Sequence, residues 1–176
     1  GPVCLRDRLM TTAKDIAKDS VVGLPPALRP LVLSRLESLL DRPENLAGQI
    51  NTAGSSQQAV QALARIVACS DFIARVLSRE PGLLQTFCGP SGVERPRHPG
   101  ELTAIVQEIG RRIVHRAELA AELRRLRQRE VARIGWRDLA GWATLEEVVA
   151  KLSELAGAII EIAQDCAHRV VADRYG

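Results

Sequence analysis

Nearly every segment of this 176-residue chain repeats its apolar residues at helical spacing, and no stretch alternates convincingly as a strand. That periodicity is the strongest constraint on the fold. A stripe recurring about every 3.6 residues must be buried against another helix or left wet. Aromatic residues make up only 3% of the chain while hydrophobic residues make up 46%, so Leu, Ile, Val and Ala must build the interior. A charged content of 26% is not that of a disordered chain. The length suits one domain able to bury a real core. The expectation is an all-α bundle of about six or seven helices.

The first helix is expected near residues 5–22, stopped by Gly23 and the paired prolines Pro25 and Pro26. A second, near 26–40, carries a wide face of Leu28, Leu31, Val32, Leu36, Leu39 and Leu40. Pro43 suits the first turn of a short third helix ending near Ile50. Ser55 and Gln58 have capping-box spacing for a helix at 56–69. That helix should step near Ser70 and Asp71 into another ending by Arg79, and Pro81 should start a short turn through Phe87. Residues 89–100, GPSGVERPRHPG, hold three prolines and three glycines and read as a loop, with a length compatible with a mobile connector. A long helix is then expected over 101–139, ended by Gly141. Thr144 and Glu147 have the spacing to cap a final helix over 145–175. The organisation expected is an N-terminal helical subdomain at 3–88, the loop at 89–100 and a helical hairpin at 101–176, compact together as one domain.

Residues 123–139, LRRLRQREVARIGWRDL, carry Arg124, Arg125, Arg127, Arg129, Arg133 and Arg137. Leu119, Leu123, Leu126 and Ile134 fall on one side of the same helical wheel, and Glu130 falls among them with Arg133 and Arg137 beside it. A carboxylate on an apolar face is costly unless paired. We therefore expect Glu130, Arg133 and Arg137 to form a partly buried ion-pair set that orients this helix. The other reading is an arginine reaching a neighbouring catalytic domain. Arg124 and Arg125 lie far from the stripe and suit a solvated face spaced by Glu118 and Glu122, although guanidinium forks also match phosphate or an acidic surface. Trp136 and Trp142 suit anchors in a core or at an interface, and Asp138 stands beside them.

No catalytic or metal-ligating set emerges. His98, His115 and His168 are isolated, with no HxxxH or HExxH. Cys4, Cys69, Cys88 and Cys166 are dispersed with no CxxC, which suits reduced thiols of a cytoplasmic protein, three of them semi-buried. The net charge of +3 is mild, and the arginine helix lacks aromatic interleaving, which counts against nucleic acid as a partner. No apolar run reaches membrane-spanning length, and no signal peptide opens the chain. Gly1-Pro2 reads as a protease scar. There is no Gly-rich phosphate loop after a strand and no close DxD pair to hold a divalent metal.

The run RQREVARIGWRDLAG, residues 127–141, resembles the arginine-rich RRREMxRIAWRDLAG helix of the glutamine synthetase adenylyltransferase/deadenylylase family. The acidic, leucine-rich helix that follows there is similar to residues 144–166. CSDFIARVLSREPGLL, residues 69–84, resembles that family's SDFxxxxLxxxPxLL opening. The resemblance covers about residues 62–176. It implies the N-terminal helical part of the deadenylylase half, since RIGWRDLAG looks more like that half's arginine helix. It also implies a fragment, because in the family an ADRYG-like segment leads into a strand, a GMGKLGG-like loop and a GSDxDL-like metal motif. The resemblance makes ATP, ADP and Mg2+ the parent's ligands. Its partners would be the nucleotidyltransferase core, glutamine synthetase and the PII signalling protein. No catalytic, cofactor or metal residue is carried over onto this chain. A freestanding helical interaction module and a nucleic-acid-binding bundle are the alternatives.

Overall fold

A computed structural model describes residues 13–41, 57–80, 82–90 and 92–176. The short helix expected at 43–50, the Ser55 cap and the start of the first helix lie outside them. Among the described residues there are eight helices and no strands. The all-α expectation holds, with one helix more than the upper count. The chain divides into two compact units, Gly1–Arg95 and Pro96–Gly176.

In the first unit α1 is Ala13–Val21, α2 Arg29–Leu40, α3 Gln57–Cys69, α4 Asp71–Arg79 and α5 Leu83–Cys88. The centre is α3, which packs on the other four. Ala59, Val60, Leu63, Ala64, Ile66 and Val67 recur at helical spacing and are all buried. The chain breaks between α3 and α4 because Ser70 takes an extended backbone and its hydroxyl accepts the Ile73 N–H at 3.2 Å. Asp71 reaches back to Arg35 of α2 at 2.6 Å. Cys88, at the end of α5, is buried, and burial followed by the charge of Glu94 pushes its thiol up to about 12.

The second unit contains α6 Glu101–Arg112, α7 Arg116–Leu139 and α8 Leu145–Tyr175. The sequence led us to expect a single helix over 101–139, and the structure corrects this. Ile113 and His115 are extended, with ψ of 112° and 121°. Local pattern gives no Pro at this point, so the periodicity reads straight through. Two facts explain the break. Ile113 and Val114 are β-branched and tolerate extended backbone. Breaking also lets α6 turn back, so that Leu102, Val106, Ile109 and Ile113 join Leu119, Leu123, Leu126 and Leu155 in one core. At about 25 cal/mol per Å2 of apolar surface, burying four aliphatic side chains outweighs a few lost helical hydrogen bonds.

The helices run up, down and up. Leu102 and Thr103 of α6 touch Glu154, and Gly110 touches Ile162, so α6 is parallel to α8. Arg137 of α7 meets Glu147 of α8, making that pair antiparallel. A Cβ on Gly110 would stand 2.7 Å from the Ile162 Cδ1, so glycine sets the spacing of α6 and α8.

Candidate functional site

The arginine-rich helix α7 divides cleanly by burial. Arg124, Arg125, Arg127 and Arg129 are exposed, and Arg125 stands 3.6 Å from Glu122. Arg133 and Arg137 are buried, as are Glu130 and Trp136. Asp138 is exposed and Trp142 half-buried. The helical wheel determines this division, because Glu130, Arg133 and Arg137 share the side that carries Ile134.

The partners of these residues come from elsewhere in the second unit. Glu130 accepts two hydrogen bonds from Arg97, at 2.6 and 3.2 Å. Arg97 also donates to Glu101 at 2.6 Å. Burial pulls the Arg97 pKa down, but its hydrogen bonds and charge contacts with Glu130 and Glu101 outweigh that and raise it. Arg137 donates to Glu147 at 2.9 Å and to the Trp142 carbonyl at 3.0 Å. Lys151 donates to the His98 carbonyl at 2.9 Å and to Glu154 at 2.8 Å. The other Glu154 oxygen accepts the Leu102 and Thr103 N–H groups at the start of α6. A carboxylate there satisfies orphan donors and faces the positive end of the helix dipole. Burial raises the Glu154 pKa, but the Lys151 contact and these two N–H groups lower it overall.

The α7–α8 turn is held in the same way. Gly141 lies at φ +76°, Gly141 N–H donates to Asp138 and Trp142 N–H donates to the Arg137 carbonyl. This is the double hydrogen bond that ends a helix in a left-handed residue, which glycine adopts without strain. Thr144 then caps α8 by accepting the Glu147 N–H at 3.2 Å. The Glu147 carboxylate, the reciprocal half of the expected capping box, turns instead to Arg137.

Sequence reasoning singled out Glu130, Arg133 and Arg137 but missed Arg97, Glu101, Lys151 and Glu154. Their partners lie up to 53 residues away. One signal was available. Lys151 occupies the side of α8 that carries Leu155 and Ala158, as Glu130 does on α7, and a charge on an apolar face needs a partner. The last residues of the 89–100 loop are accordingly pinned at Arg97 and His98.

This arrangement is fit for holding helices together. The space between Arg97, Arg133, Arg137, Glu147 and Lys151 is about 10 Å3. That is near the limit for one water and too small for a phosphate. Arg97, Arg137 and Lys151 already face carboxylates. No group of three His, Cys, Asp or Glu side chains among the described residues is placed to hold a metal ion. These residues do not fit a magnesium–nucleotide site. Among the described residues no helix is long and apolar enough to cross a membrane.

Residues 60–176 match the family model described as glutamate-ammonia ligase adenylyltransferase. The bifunctional glutamine synthetase adenylyltransferase/adenylyl-removing enzyme of Thioalkalivibrio sulfidiphilus is 37% identical over 159 residues, 90% of this chain and 16% of its own length. Its counterpart in Nitrosococcus oceani is 35% identical over 142 residues, 80% of this chain and 15% of its own length. That of Pseudomonas aeruginosa is 37% identical over 112 residues, 64% of this chain and 11% of its own length. The chain thus spans about a sixth or less of these relatives. No solved structure matches it.

Proposed function

The chain belongs to the glutamate-ammonia ligase adenylyltransferase family, and from that premise we propose that it is a non-catalytic helical part of such an enzyme. The parent reversibly adenylylates a tyrosine of glutamine synthetase. It uses ATP and Mg2+, and it removes the group by phosphorolysis with release of ADP. The chain belongs to the deadenylylase half, works in the cytoplasm, and reaches glutamine synthetase and PII only as part of the parent. Its own task is to set the angle of the α6, α7 and α8 helices beside the nucleotidyltransferase core. Glu130, Arg133, Arg137, Trp136 and Asp138 are the residues that hold or present that arrangement.

One observation carries the reading: 90% of this chain aligns with 16% of a bifunctional relative. The charged cluster supports it, since Arg97, Arg137 and Lys151 face carboxylates and the space between them leaves no room for substrate. The test is to incubate the 176-residue chain with adenylylated glutamine synthetase and phosphate, and separately with unmodified enzyme and Mg-ATP. No ADP and no adenylylated product are expected. Turnover in either direction refutes the reading.

A further inference from the structure

The 31-residue helix α8 has two faces of opposite use. One buries Lys151, Leu155 and Ala158 in the second unit. The other carries a second apolar stripe that is exposed along its length and, at Ala163, Ala167 and Val170, borders a groove against Leu119, Ala120 and Leu123 of α7. Leu145, Val149, Leu152 and Ile160 are exposed at 74%, 54%, 39% and 56%. At 100° per residue these four, with Ala156, Ala163, Ala167 and Val170, fall within an arc about 80° wide. The stripe therefore runs most of the helix, about 38 Å at 1.5 Å per residue. Scattered exposed aliphatics are ordinary on a surface, but a continuous stripe of this length is the pattern of a helix that buries both faces.

We propose that the Leu145–Val149–Leu152–Ile160 face of α8 is the docking surface for the remainder of the parent polypeptide. This rests on the reading of the chain as part of a larger enzyme. The choice of occupant rests on length: the aligned relatives hold more than five-sixths of their residues outside the part matched here, since 16% is the larger of the first two shares. An apolar stripe of this extent requires a permanent partner, and covalent continuity supplies one at high effective concentration.

The test is hydroxyl-radical footprinting of the intact 176-residue chain and of the full-length parent, at a dose set by an added reporter peptide. Oxidation of Leu145, Val149, Leu152 and Ile160 should fall at least fivefold in the parent. Val149, 54% exposed, can take a charge without disturbing the second unit: Val149→Arg should leave the thermal midpoint of the 176-residue chain unchanged and should restore oxidation of Leu145, Leu152 and Ile160 in the parent. Equal oxidation in the two proteins overturns the proposal. So does protection in the 176-residue chain that appears with a concentration-dependent dimer, which would make a second copy the occupant. Either result leaves untouched the proposal that the 176-residue chain is inactive, which is decided by turnover alone.

Discussion

Replacing Glu130 with alanine should destabilise the second unit by about 3 kcal/mol, and the structure shows where that figure comes from. The Glu130 side chain is 7% exposed and Arg97 is 21% exposed, with the closest approach at 2.6 Å. Removing one partner of a buried pair costs about 3–5 kcal/mol, mostly because the other charge stays desolvated. Arg97 keeps Glu101 at 2.6 Å, which places the loss at the lower end. The assay is urea unfolding followed by tryptophan fluorescence. Both tryptophans, Trp136 and Trp142, lie in the second unit, so the probe reports on the right helices. The midpoint should fall with the slope unchanged. The loss should persist in 1 M salt, because a buried pair is poorly screened. Arg97→Met and Glu130→Leu should each cost about as much, while the double variant Arg97→Met with Glu130→Leu should recover to within about 1 kcal/mol of the unaltered chain. Coupling of about 2 kcal/mol or more is then expected from the cycle. A Glu130→Ala loss below about 0.5 kcal/mol, or strictly additive single variants, would show that the pair does not tie the loop to α7.

Glu154 should contribute to acid sensitivity. Its pKa is lowered in the fold, so its contribution is complete above the unfolded carboxylate value of about 4.3 and is lost as pH falls through the folded value. Unfolding curves of Glu154→Gln and the unaltered chain should differ at pH 6 and converge in strong acid; a constant gap refutes this. Cys88 should act at the alkaline end. With its thiol pushed up to about 12, the unfolded state loses its proton first, and stability falls above pH 9 until the folded thiol also ionises. Cys88→Ala should remove that fall, and under native conditions at pH 8 a thiol reagent should modify exposed Cys69 while leaving Cys88 untouched.

The helical class was legible because it depends on spacing along the chain alone. The 3.6-residue period, the Ser70 break, the Thr144 cap and the glycine stop at Gly141 are all local features, and all stand where local rules put them. The division of α7 was legible too, because a helical wheel separates Arg124 and Arg125 from Glu130, Arg133 and Arg137 without any partner being known.

Three things were decided only in three dimensions. The break at Ile113 depends on what α6 gains by lying against α8, and no residue near 113 records that gain. The partners of Glu130 and Lys151 sit 33 and 53 residues away in sequence, so pattern shows that a partner is needed but not which one. The face of α8 that is covered and the face left bare both carry aliphatic residues at the same period. Sequence determines that α8 has two apolar faces. Tertiary packing decides which of them the chain buries itself, because α6 and α7 together enclose only one side of a helix.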